Sequence, residues 1–448
     1  MSKKKVLSRK SLSLLIILVM IFPLSSCSIG EALKTLSDEL SPLNSYLNNL
    51  ARDQNPVEQP QVHITEEFHP ISYDHKYGYK SLAPDQKQVY DRIHAAVINY
   101  HRFIDLRESP VSSDDLFRIF YYYIDDHPES FWLYPQITKY FYNERKELCI
   151  GALLRYMTQD DMDEYNSETD ELKNKPSDEK LTRAREDFNA KINTLLSILS
   201  PNDDPLTKEI KIYSHMAENI KYDEDLAAQI LSENIERPIS QSAYGAAIEK
   251  STVCTGFTKL FLLLMNSVGI ECLIQHGTLE GTGHVWNVIR IDGEYYNVDV
   301  TQAASTSPKE STSLSIDYTF FNTTDQVIQK THIIKPFTLS NGLVQVSYDV
   351  PPCISEDKTF ETLFSVRVKE NTFNEKDFAE KIKQLHIYNL SAIYFIFPDG
   401  TPHQTVRKFL ETHGHQMQNL SSRYFRIDEY FAYNEKSGKA SIKLHKKQ

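Results

Sequence analysis

Three residues of this chain have the types and order needed for nucleophilic chemistry at sulfur. Cys254 opens the run Cys254-Thr-Gly-Phe, His284 lies in Gly283-His284-Val-Trp-Asn, and Asp299 lies in Tyr296-Asn-Val-Asp299-Val-Thr. A thiol needs a base to take its proton, and the base needs an acceptor on its far nitrogen to fix tautomer and orientation. Taken singly, each has a plainer reading: a lone Cys is commonly a small buried hydrophobe, and a His at a strand end a surface group. Their joint placement is what points to chemistry. Phe257, Leu260, Leu264 and Val268 recur at helical spacing with Gly269 as a stop signal, so Cys254 falls at a helix N-terminus. There the first amide N–H groups and the helix dipole favour a thiolate. Gly256 leaves room for a substrate backbone or a neighbouring strand to come close.

The histidine and the carboxylate are set by a hairpin. Ile270 to Gln275 reads as a strand, and His284 to Ile291 faces Glu294 to Thr301 across Asp292-Gly293, the strongest short hairpin signal. With those two residues as the turn, Ile291 pairs with Glu294, Trp286 with Asp299 and His284 with Thr301. His284, Trp286 and Val288 then share a face with Asn297, Asp299 and Thr301, and His284 and Asp299 become diagonal neighbours.

Around this constellation the chain reads as several domains, as its 448 residues suggest. Val89, Ile93, Val97, Tyr100 and Ile104 mark a first helix, and Ser112 caps a second carrying Leu116, Ile119, Phe120 and Tyr123, which ends at His127-Pro128-Glu129. Ile137 to Phe141 and Glu147 to Tyr156 look like strands, giving a small α+β domain at 81–165. Met157 to Lys180 is acidic and polar and reads as a solvated linker. One helix follows with Leu181, Phe188, Ile192 and Leu195, and another after Pro205 with Ile210, Tyr213, Ala217 and Ile220. Residues 356–448 read as a separate β-α-β-α-β-β domain without a catalytic grouping. No zinc spacing, nucleotide loop or calcium loop is present, so no metal or cofactor is expected.

At the other end, Lys3 to Lys10 is basic, Leu14 to Phe22 is apolar, and Leu24-Ser25-Ser26-Cys27 follows, the layout of a secretory signal. The apolar run is short for a membrane span. Leu-Ser-Ser-Cys resembles a bacterial lipobox, which implies a cleaved signal over 1–26, a lipidated Cys27 and a tether over 27–80. The expected location is the extracytoplasmic face of a cell membrane, with membrane attachment through Cys27. The chain carries a net charge of −12, and loss of Lys3, Lys4, Lys5, Arg9 and Lys10 with the leader would leave −17. That excludes general nucleic-acid binding, which needs a basic footprint. Five cysteines exclude a disulfide-dense scaffold. Cys272 reads as structural, Cys149 and Cys353 could pair only if their domains touch, and His215 and His276 default to packing or surface.

Val253-Cys254-Thr-Gly-Phe, Gly283-His284-Val-Trp-Asn287 and Tyr296-Asn-Val-Asp299-Val-Thr301 together resemble the transglutaminase-like superfamily, over about 175–350. Ser242-Ala-Tyr-Gly and Asn219-Ile-Lys-Tyr222-Asp are similar to that family's approach to its Cys. Tyr90 to Leu133, with Asp126-His-Pro-Glu129 and Phe131-Trp132, is similar to a region ahead of this domain in bacterial envelope lipoproteins. Thr252 and Gln302 depart from the pattern, standing where Gly and Trp are often found. The resemblance implies an α+β fold: a papain-like transglutaminase core flanked by the N-terminal α+β domain and the C-terminal domain. It also implies a Cys254-His284-Asp299 triad that attacks a glutamine side-chain amide or a peptide carbonyl and forms a thioester. An amine acceptor then gives a crosslink, and water gives deamidation or proteolysis. The oxyanion would sit on the Cys254 backbone N–H and a second donor, for which Tyr244 is a candidate, and Trp286 would either wall the acyl site or belong to the core. Substrates would be proteins or peptides of the cell envelope. The rival expectation is an inactive relative serving as a binding or scaffold module.

Overall fold

The computed structural model describes residues 76–156, 179–233, 239–306, 316–338, 345–346, 348–434 and 438–447. The expected leader, Cys27, most of the tether and residues 157–178 of the acidic linker lie outside them. The described residues form two compact units, 76–365 with 387–390, and 366–386 with 391–447. Among the described residues no helix is long and apolar enough to cross a membrane.

The first unit opens with α1 (Pro84–Ile98), started by a proline in its first turn, and β1 (Phe103–Asp105). The helix stops short of the expected Ile104 because Tyr100 turns to a left-handed φ of 56°, after which Ile104 enters β1. Ser112 does cap α2 (Ser113–Asp126), its side chain accepting from Asp115 N. β2 (Leu133–Tyr142) and β3 (Cys149–Tyr156) complete an antiparallel sheet of order β1-β3-β2. Tyr90, Ile93 and Val97 of α1 and Phe120 and Tyr123 of α2 form its fully buried core.

The chain continues through α3 (Glu179–Leu196), α4 (Pro205–Asn219), capped by Asp204, then β4 (Lys221–Tyr222) and α5 (Glu224–Glu233). A π-helical turn (Gly245–Glu249) leads to β5 (Ser251–Thr252) and α6 (Cys254–Ser267). Then come β6 (Cys272–Leu279), β7 (Thr282–Ile291), β8 (Glu294–Val298), α7 (Val300–Thr306) and β9 (His332–Ile334). The last four strands make an antiparallel sheet of order β8-β7-β6-β9. Asp292 and Gly293 both take positive φ, 51° and 93°, as a hairpin turn matched to strand twist requires, and the ladder runs from Ile291↔Glu294 to Asn287↔Val298 in the expected register. β8 ends three residues before the expected Thr301, because Asp299 turns the chain into a helix.

The described residues of 81–165 and 175–350, set out above as separate domains, fall within one compact unit. Phe131 stacks on Tyr244 with centroids 4.4 Å apart and meets Phe188 edge-on, so the N-terminal α+β segment and the central helices share an aromatic seam. Cys149 and Cys353 are both free and buried, as is Cys272. The second unit holds β10 (Ser365–Arg367) but for its first residue, α8 (Glu375–Ile387) but for its last, β11 (Ala392–Ile396), α9 (His403–Ser421), β12 (Phe425–Asn434) and β13 (Lys439–Lys446), with sheet order β10-β11-β13-β12. Phe378, Ile382, Phe395 and Val406 fill its core.

One polar side chain pins α6 to the central sheet. Asn287, buried in β7, donates from Nδ2 to Thr258 O at 3.1 Å and Leu273 O at 3.2 Å, and Thr258 Oγ1 donates to Val285 O at 3.1 Å. Replacing Asn287 strips two buried carbonyls of their donor. Asn287→Ala is expected to lower the unfolding free energy by about 2 kcal/mol or more, read from urea denaturation.

Candidate active site

Cys254 is positioned by backbone geometry. β4 and β5 pair in parallel, Tyr222 opposite Thr252, and Val253 is the extended N-cap from which α6 starts at Cys254. The close approach at Gly256 comes from the protein's own chain: a Cβ there would collide with Thr252 Oγ1 and lie 3.0 Å from Ser242 O. Thr252, one of the departures noted above, is fully buried and donates to Ser240 O at 2.6 Å, so it braces the loop that approaches Cys254. Cys254 is half-buried on the wall of a cavity of about 600 Å³. Burial raises the pKa of Cys149, Cys272 and Cys353, which are therefore held as inert thiols.

His284 lies on the same wall, and Cys254 acts on it electrostatically. His284 Nε2 is 2.8 Å from Asp299 Oδ2, so Nδ1 is the nitrogen left for exchange with sulfur. Asp299 is 1% exposed and fully engaged. Its Oδ1 accepts from the amides of Thr301 at 2.9 Å and Gln302 at 3.3 Å, capping α7, while Oδ2 also meets His332 Nε2 at 3.1 Å. Burial alone would favour a neutral carboxyl, yet His284 and His332 hold Asp299 well below the usual carboxylate range. Burial likewise opposes charge on His284, but Asp299, with Cys254 beside it, pushes its pKa up to about 10. The two shifts are one ion pair seen from its two ends.

His332 was not singled out in the sequence; it is fully buried, its Nδ1 2.9 Å from Thr331 Oγ1. Trp286 belongs to the core: fully buried, it donates to Asn297 Oδ1 at 2.9 Å, stacks on His284 and meets His332 edge-on, and it is not on the cavity wall. Tyr244 is also off that wall, stacked on Phe131 at the start of the π-helical turn. Two tyrosines do line the cavity, Tyr121 and Tyr222, and the pKa of Tyr222 is raised by burial and by the nearby Cys254 and Asp299, so its hydroxyl stays a proton donor. The parallel β4–β5 pairing places it, a long-range contact without a local signal.

His276, read as a packing or surface residue, instead sits 3.0 Å from Asp125 Oδ2, which also accepts from Tyr348 OH at 2.8 Å; Asp125 and His276 both line the cavity. His127 and Pro128 of the Asp126-His-Pro-Glu129 motif line it too. His284, Asp299 and His332 are the one group among the described residues whose ligand atoms cluster closely enough, within 4.8 Å, to hold a metal. Their 2.8 and 3.1 Å separations are those of hydrogen bonds and account for all three.

A raised pKa means that the folded chain holds the His284 proton more tightly than the unfolded chain. That stabilisation is full below the ordinary histidine value of 6.5 and is lost as pH climbs through about 10. The lowered Asp299 value acts in the opposite sense, its stabilisation present above the ordinary carboxylate value of 3.8 and lost as pH falls. Asp299→Asn is therefore expected to cost about 3 kcal/mol at about pH 6, with the gap to the wild type narrowing toward pH 10. Urea midpoints across that range measure it.

Residues 193–300 match the transglutaminase-like superfamily, a stretch that contains Cys254, His284 and Asp299. Among solved structures, a TGase crystal structure is similar at 13% identity and a TM-score of 0.26, over 40% of this chain and 48% of that one. A candidate cysteine protease from Cytophaga hutchinsonii is similar at 14% identity and a TM-score of 0.20, over 38% and 63%. This chain thus spans less than two thirds of either. No curated protein matches it. A mixed α and β chain whose thiol-bearing helix and His-Asp hairpin fall inside that match carries, over residues 193–300, a transglutaminase-like domain.

Proposed function

We propose that the chain is a thiol acyl-transfer enzyme that cleaves amide bonds of envelope proteins or peptides, held at a membrane by lipid on Cys27. The observation that carries this reading is the placement of Cys254 and His284 on the wall of one cavity large enough for a peptide segment, with His284 hydrogen-bonded to the buried Asp299. His284 takes the thiol proton, and the sulfur attacks the carbonyl carbon. The oxyanion faces the amide end of α6 and the Tyr222 hydroxyl, which takes the role expected of Tyr244. Collapse breaks the carbon–nitrogen bond, and the imidazolium protonates the leaving amine or ammonia. Water, deprotonated by His284, then opens the thioester and returns the thiol. Hydrolysis needs only water as acceptor, whereas crosslinking needs a bound amine as well.

Alkylation of Cys254 by iodoacetamide, followed against pH, tests the nucleophile. Fast labelling at mildly acidic pH that collapses in His284→Ala is expected; a rate and pH profile typical of a free thiol, near 8.5, would overturn the reading. On an amide substrate found by peptide profiling, Cys254→Ala and His284→Ala abolish turnover. Asp299→Asn lowers kcat by about 10⁴-fold, and Tyr222→Phe by about 10²-fold.

The Leu24-Ser25-Ser26-Cys27 stretch supports the anchor. Metabolic labelling with an alkynyl fatty acid is expected to tag the wild type and to leave Cys27→Ser untagged and released from membranes.

A further inference from the structure

The cavity beside Cys254 is lined by two ammonium groups, Lys259 and Lys335, and a single carboxylate, Asp125. That carboxylate is already engaged by His276 and Tyr348. Lys259, five residues beyond Cys254 on α6, makes no hydrogen bond or ion pair among the described residues, although Asp125 acts on it through space. It is half-buried, and burial lowers its pKa against the pull of Asp125. Two hydroxyls of the same wall, Thr255 Oγ1 and Thr278 Oγ1, also lack a partner among the described residues. A desolvated cation without an acceptor costs free energy that an anion in the cavity would return. This cationic lining also runs against the net charge of −12 carried by the whole chain. Ile124, Phe131, Leu133 and Ile230 supply apolar surface for the uncharged part of an occupant.

We propose that Lys259 is the anion anchor of this cavity and that its acyl donors carry a carboxylate, either an acidic side chain or a peptide's own C-terminus, close to the scissile acyl group. The assignment rests on the acyl-transfer reading and names the substrate class for it. Lys335, exposed on the same wall, adds attraction for an approaching anion.

The test uses full-length protein in detergent and three iodoacetyl dipeptides: a neutral Ala-Gln amide, an Ala-Glu amide bearing a side-chain carboxylate, and an Ala-Gln free acid bearing a terminal one. Labelling rates at Cys254 are read by peptide mass spectrometry. At least one acidic probe is expected to react about tenfold faster than the neutral one, the scale of one charge-assisted hydrogen bond, and which one it is identifies the source of the carboxylate. That ratio collapses in Lys259→Met and is retained in Lys259→Arg, which keeps the charge. No preference for an acidic probe in the wild type, or a preference that survives Lys259→Met, overturns the anchor. If the neutral probe labels Cys254 fast and in a His284-dependent manner while the ratio stays near one, the anchor fails and the acyl-transfer reading stands. If all three label slowly and His284→Ala changes nothing, both fail.

Discussion

The site depends on a single carboxylate that answers four donors. Asp299 closes the first turn of α7 with one oxygen and holds two imidazoles with the other. Its backbone lies just past β8, and His332 opens β9, so this side chain joins the two edge strands of the central sheet. A rotamer fixed by two amides leaves the imidazoles no freedom to reorient the carboxylate. His284 is thereby aimed, and the pair that charges it is kept dry by Trp286 beneath and Phe320 against His332. Burial would cost this ion pair heavily were any of its lone pairs left unmet.

The second constraint lies across the cavity, at the C-terminal end of α2, where Asp125 and Asp126 are consecutive. Two carboxylates there oppose the helix dipole and require local compensation. Asp126 finds it in the Gly78 and Tyr79 amides and the Tyr90 hydroxyl, although burial still pushes its pKa up to about 7. Asp125 finds it in His276 of β6 and in Tyr348. One acid therefore closes the N-terminal segment on itself, and its neighbour fastens that segment to the central sheet. The N-terminal α+β segment is in this way a wall of the cavity that contains Cys254, with His127 and Pro128 on its lining.

Much of this was readable from residue order because its causes are local. Period-two alternation and the Asp-Gly pair specified the β7–β8 register, and with it the approach of His284 to Asp299. Helical periodicity ending at Gly269 placed Cys254 at the head of α6, and Ser112 marked the start of α2. Errors arose where a local signal had two readings. Asp-Val-Thr extended the strand pattern on paper, but an Asp followed by free amides is also a helix cap, and the cap prevailed. Tyr244 stood in a run resembling the approach to Cys254, while aromatic packing on Phe131 claimed its ring.

The sequence by itself determined the placement of Cys254, His284 and Asp299, because one helix start and one two-residue turn suffice to place them. Tertiary structure alone decided what surrounds them. His332 reaches Asp299 from 33 residues away, His276 meets Asp125 across 151, and Tyr222 comes beside Cys254 through a two-residue parallel bridge. Such contacts carry no periodicity and no turn chemistry, since they form only when separately specified elements bury their apolar faces against one another. The charge lining of the cavity is their product.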